Sequence, residues 1–160
     1  DGVEHVLTRL AAAGWALGCV TNKPARFTGP LLAAAGLAGH FAVTLSGDSL
    51  PTKKPDPAPV LHAAATLGVE LARVVMVGDS LTDLRAAQNA GVRAVCVSFG
   101  YHAGVDLKAE GADALRLISS KAGASFSTFL QSAEFPQNFL PSALTQFETD
   151  ADALTRTGSM

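Results

Sequence analysis

Apolar residues recur along the first two thirds of the chain in two alternating rhythms. Val3, Val6, Leu7 and Leu10 stand at i, i+3, i+4 and i+7, the spacing of one helix face, and Gly14 marks its stop. WALGCVT (15–21) then reads as a buried strand, and a second helix is predicted from 24 to 35 with Gly36 as its terminator. FAVTLSG (41–47) is a second predicted strand. Asp56-Pro57 reads as a helix cap with proline at the first helical position, and that helix runs to Leu67 before Gly68. RVVMVGD (73–79) predicts a third strand, 80–91 a helix closed by glycine, VRAVCVS (92–98) a fourth strand, and 113–118 a short fifth.

Strands thus alternate with helices of ten to twelve residues, and the strands are apolar on both faces. That is the pattern of a parallel sheet covered by helices on both sides, and right-handed crossovers make it a doubly wound α/β fold. Ligands of such sheets bind beyond the carboxyl ends of the strands. Function is therefore to be sought just after Val20, Leu45, Val77 and Val97.

The rhythm stops after Ile118. Residues 119–160 contain no valine or isoleucine but carry five of the eight phenylalanines, among Ser, Thr, Gln and Pro. The expected organisation is a core over 1–118 and a low-order extension over 119–160, which can also be read as sequence foreign to the domain.

Composition adds exclusions. The 160 residues suffice for one domain with its own core. With 16% charged residues and a formal net charge of -2, no basic patch points to nucleic acid. No apolar run is long enough to span a membrane, and DGVEHVLTRL is not a signal peptide. Cys19 and Cys96 lie far apart inside apolar runs and read as buried thiols rather than as a disulfide or metal pair. The expectation is a soluble protein of a reducing compartment, the cytoplasm. Oligomeric state is not indicated.

The strand ends carry polar chemistry. Thr21, Asn22 and Lys23 follow the first strand, TKKPDPAP (52–59) follows the second, and Asp79, Ser80 and Asp83 follow the third. A hydroxyl can grip a phosphate oxygen, a lysine can neutralise phosphoryl charge, and a carboxylate can hold Mg²⁺, which prefers oxygen donors. Each piece has a plainer reading. Ser80 with Asp83 also makes a capping-box variant, Thr21 can be a strand-end threonine, and Lys54 can be a solvated loop lysine. Asp79, directly after a buried strand, has no capping duty. His5, His40 and His62 show no metal-ligand spacing, His102 in the FGYHAG loop reads as a solvated histidine or one that approaches substrate, and Trp15 and Tyr101 read as packing residues.

Together, VTNKPARFTGPLL, GDSLPTKKPDPAPVLHAA and VGDSLTDLRAAQNAG resemble the haloacid dehalogenase (HAD) superfamily of phosphatases, and within it the bacterial phosphoglycolate phosphatases. The resemblance covers about residues 1–118, and SFGYHAGVDL (98–107) extends it. It implies a HAD-like Rossmannoid core and Mg²⁺-dependent hydrolysis of a small phosphorylated metabolite, 2-phosphoglycolate, through an aspartyl-phosphate. It implies that Thr21 binds a phosphate oxygen with Asn22 beside it. Lys54 would steady the nucleophile and the phosphoryl charge, Asp79 would ligate magnesium, and Ser80 and Asp83 would orient Asp79.

The family's nucleophile and its acid/base belong to an Asp-x-Asp-x-Thr motif that ends the first strand of the fold, ahead of a helical cap domain. Neither motif nor cap is expected within residues 1–118, so the fold is expected to be truncated at its first strand and the chain alone to lack turnover. Its open sheet edge should favour association. Asp150-Ala151-Asp152 is the one Asp-x-Asp pair, readable as a permuted motif or as a surface acidic cluster. Two other readings stay open: a non-catalytic fragment or pseudoenzyme that binds phosphate or a partner, and a different HAD sugar-phosphate phosphatase.

Overall fold

A computed structural model describes residues 3–97, 104–112 and, for the backbone, 114–116. The expected extension at 119–160, with Asp150 and Asp152, lies outside the described residues, as does His102.

The elements follow in the order α1 (Val3–Ala12), β1 (Gly18–Val20), α2 (Ala25–Ala34), β2 (Val43–Leu45), α3 (Ala58–Leu67), β3 (Val75–Gly78), α4 (Leu81–Ala90), β4 (Arg93–Val97) and β5 (Ala114–Arg116). Short 3-10 turns at Ala38–His40 and Leu71–Arg73 lead into β2 and β3. Every strand pairing is parallel, and helices alternate with strands, so the α/β class and the parallel sheet are as expected. Gly68 and Gly91 close α3 and α4 in the left-handed conformation, with φ of 66° and 68°, which glycine adopts without a Cβ penalty.

Several boundaries differ. β1 and β2 hold three residues each, not seven, because their mutual ladder runs only over Gly18–Val20 and Val43–Leu45. Pro57 is the N-cap of α3, one position before the helix, and Asp56 Oδ1 accepts the Ala58 amide at 2.8 Å. The sheet is also in two hydrogen-bonded pieces, β1-β2 and β3-β4-β5. β1 and β3 each keep one edge without a strand partner among the described residues. Hence Val77, read as buried on the strength of its valine run, is 48% exposed.

The core sits where α4 covers β4. Leu84, Ala86, Ala87 and Ala90 pack with Val92, Ala94 and Cys96, joined by Val60 of α3 and by Leu107 and Ala112. The small alanine face lets helix and strand approach closely, and Leu84 is fully buried. α1 is looser. Its apolar face is only half-buried, with Val3 on the surface, because the helix packs mainly on the Ala38–His40 turn.

Candidate functional site

β1 ends at Val20, β2 at Leu45 and β3 at Gly78, so residues 21–23, 46–49 and 79–80 leave the sheet at its carboxyl end. Residues 53–57 cross between β2 and α3. The interlocking of these loops is dictated by hydrogen bonds that residue spacing did not reveal.

Lys54 is the centre. It is 8% exposed, so the solvated-loop reading is excluded. Its ammonium donates to Val20 O at 2.5 Å and to Asp83 Oδ1 at 2.6 Å, which ties β1 to α4. A buried ammonium requires such partners, since desolvation would otherwise drive off its charge. The Lys54 segment is moored twice more. Asn22 Nδ2 donates to Lys54 O at 2.8 Å, and Asn89 Nδ2 donates to Pro55 O at 3.0 Å.

Asp83 serves three groups. Oδ1 takes Lys54, while Oδ2 accepts Ser80 Oγ at 2.7 Å and the Asp79 amide at 3.2 Å. Ser80 is the N-cap of α4, its hydroxyl accepting from the Asp83 amide. The capping box therefore exists, with the carboxylate reaching the amide of Asp79 rather than that of the cap residue. Burial opposes ionisation of Asp83, but hydrogen bonds from Lys54 and Ser80, the Lys54 charge and the Asp79 amide outweigh it and hold the carboxyl below its ordinary range. Gly78 makes the arrangement possible. A Cβ there would stand 2.3 Å from Asp83 Cβ and 2.8 Å from Oδ2.

Thr21 and Asp79 are both half-buried at the strand ends. Thr21 N donates to Leu45 O at 2.9 Å, which sets the β1 end against the β2 end. Its hydroxyl accepts from the Lys23 amide at 3.2 Å, leaving its own proton to donate. Thr21 follows the residue that receives Lys54, and Asp79 is bonded through its amide to the carboxylate that pairs with Lys54. The sequence-derived residues Asn22, Lys54, Asp79, Ser80 and Asp83 are thus joined in one hydrogen-bonded network, and Thr21 follows Val20, which accepts from Lys54. Asn22 turns its side-chain donor to the Lys54 backbone.

The Lys54–Asp83 pair was not foreseen. Asp83 had a sufficient local explanation as a cap residue, and its partner lies 29 residues away. Cys19 is nearby and half-buried; burial pushes its thiol up, with the Lys54 charge acting weakly against that.

For a divalent cation, Asp79 offers a carboxylate at the right strand end. The described residues hold no group of three or more His, Cys, Asp or Glu side chains that could hold a metal ion. Mg²⁺ takes one or two carboxylates and completes its shell with waters and phosphate oxygens, so Asp79 would serve as one such donor.

The parallel sheet with a polar network at its carboxyl end defines an α/β protein whose strand-end loops carry the candidate site. Residues 1–97 match the family of haloacid dehalogenase-like hydrolases, and the chain belongs to that family. It is 48% identical over 107 residues to a phosphoglycolate phosphatase of Nitrosococcus oceani, covering 67% of this chain and 48% of the relative. The crystal structure of a predicted phosphoglycolate phosphatase from Haemophilus somnus superposes with a TM-score of 0.69 at 35% identity, over 72% of this chain and 51% of the other. CbbY of Rhodobacter sphaeroides, solved in complex with phosphate, gives a TM-score of 0.66 at 30% identity, over 72% of this chain and 52% of that one. The chain spans about half the length of the curated relatives it matches. Among the described residues, no helix is long and apolar enough to cross a membrane.

Proposed function

We propose that the protein to which this chain belongs is a phosphomonoester hydrolase acting on 2-phosphoglycolate. The observation that carries this reading is a buried lysine ammonium moored to Val20 O at the end of β1 and to Asp83 of α4, with Thr21 next to Val20 in the chain and Asp79 bonded through its amide to Asp83. The phosphoglycolate phosphatase relatives support the substrate, and CbbY, solved in complex with phosphate, supports a phosphate ligand.

In this reading, Thr21 donates its hydroxyl proton to a phosphate oxygen. Lys54 retains a third N–H beyond those given to Val20 and Asp83, and its charge offsets the negative charge on the equatorial oxygens of the transferring phosphoryl group. Asp83 holds Lys54 in place, and its bond to the Asp79 amide orients the Asp79 loop. Asp79 would be one donor to Mg²⁺, an ion that adds Lewis-acid stabilisation when bound. The HAD resemblance supplies the remaining step: a carboxylate oxygen bonds to phosphorus as the ester oxygen departs with a proton, and water then cleaves the acyl phosphate. No Asp-x-Asp-x-Thr stretch occurs in residues 1–118, so that nucleophile is assigned to none of them.

The core over 1–118 and a separate role for 119–160 belong to the same proposal. So does a cytoplasmic setting, in keeping with two cysteines that form no disulfide. A panel of phosphomonoesters assayed with the full-length protein and Mg²⁺ tests it. 2-Phosphoglycolate among the best substrates is the expected result; a clear preference for sugar phosphates would overturn the substrate, and no turnover of any phosphomonoester would overturn the activity.

A further inference from the structure

We infer that Asn22 is a positioning residue for Lys54, acting through the lysine's main chain rather than binding phosphate with its own amide. Its Nδ2 donates to Lys54 O at 2.8 Å, across 32 residues of chain. The lysine tip is fixed at Val20 O, two residues before Asn22. Lys54 is therefore moored to the end of β1 at both its carbonyl and its ammonium, with Asp83 on the far side. A lysine has a flexible side chain with many rotamers, and a charge held in advance needs no reordering when an anion arrives.

The anchor is itself held. Gly47 N donates to Lys23 O at 2.9 Å, and the Lys23 amide is bonded to the Thr21 hydroxyl. Gly47 lies so close to residue 22 that a Cβ on it would stand 2.1 Å from Asn22 O. The loops after β1 and β2 and the Lys54 segment interlock at this one residue. The polarity of the amide agrees. Its donor end is turned to Lys54, and Oδ1 is buried without a partner among the described residues, an acceptor of the wrong sign for a phosphate dianion.

The catalytic consequence rests on the proposed phosphate-site reading of Lys54; the mooring itself does not. Two measurements on the chain test it. By NMR, the Asn22 Nδ2 protons should exchange slowly and show through-hydrogen-bond coupling to the Lys54 carbonyl carbon. Free-amide exchange without coupling would overturn the inference, whatever any variant does. In Asn22→Ala, with folding checked by urea titration, acylation of Lys54 relative to Lys53 should rise about fivefold, the effect of one neutral hydrogen bond. An unchanged ratio in the folded variant would overturn it. A purely structural loss would show as a lowered urea midpoint, since Lys53 and Lys108 are already exposed. Inorganic phosphate with Mg²⁺ separates the two readings. If phosphate fails to slow Lys54 acylation in the wild type while Asn22→Ala still raises it, the mooring stands and the phosphate site falls. Protection by phosphate with no effect of Asn22→Ala gives the reverse.

Discussion

Replacing Asp83 with Asn leaves the shape of the side chain but removes the charge that Lys54 faces. Both side chains are nearly out of water, Lys54 at 9% and Asp83 at 10% exposure. The carboxylate uses one oxygen for Lys54 and the other for Ser80 and the Asp79 amide. An amide has only one oxygen, so its NH₂ must oppose either the ammonium or the Asp79 N–H. Breaking a buried ion pair from one side costs about 3–5 kcal/mol, because the remaining charge is left uncompensated. With m about 2 kcal/mol/M in urea for a domain of this size, the midpoint should fall by roughly 1.5–2.5 M. Adding Lys54→Met should recover part of the loss, since no charge is then buried alone. The pH dependence has a definite sign. The folded-state carboxyl titrates below its unfolded value, so its contribution is complete above the unfolded pKa and disappears as pH falls through the lower folded value. The gap between wild type and Asp83→Asn should therefore be full near neutrality and close in acid. A midpoint shift equivalent to less than about 1 kcal/mol at neutral pH, the size of an exposed pair, would refute the burial argument.

Other outcomes follow from the same contacts. Gly78→Ala would press a methyl onto Asp83, so about 1–3 kcal/mol of stability should be lost in thermal or urea unfolding. Lys54→Ala in the full-length protein should lower kcat on 2-phosphoglycolate by about 10² or more, with an unchanged kcat excluding the charge-stabilising role. Leu84→Ala, at a fully buried position, should cost about 2–5 kcal/mol in urea unfolding. The unpaired edges of β1 and β3, with Val77 exposed between helices, should make the 160-residue chain self-associate as concentration rises in sedimentation velocity.

What the sequence could show depended on the range of the interaction. Helix ends at Gly68 and Gly91 and the Ser80 cap are local events, decided by residues within a few positions, and all three stand where the pattern put them. Strand lengths are not local. WALGCVT carries seven residues of strand character, yet only the three that meet β2 form a ladder. The valines of β3 predicted burial on both faces, but burial depends on what lies beside the strand, and among the described residues β3 pairs only with β4. The same limit governs the site. Thr21, Lys54 and Asp79 could be chosen because strand ends collect ligands, whereas the bonds that organise them, Lys54 with Asp83 and Asn22 with the Lys54 carbonyl, span 29 and 32 residues. Composition had no means of pairing them.

The account is tested most directly by titrating the isotope-labelled chain with inorganic phosphate in the presence of Mg²⁺ and following every backbone amide by NMR. Shifts concentrated at Thr21, Lys54 and Asp79, saturating together and lost in Lys54→Ala, are the predicted result. Saturable shifts centred on other residues, or a response that Lys54→Ala leaves intact, would contradict it.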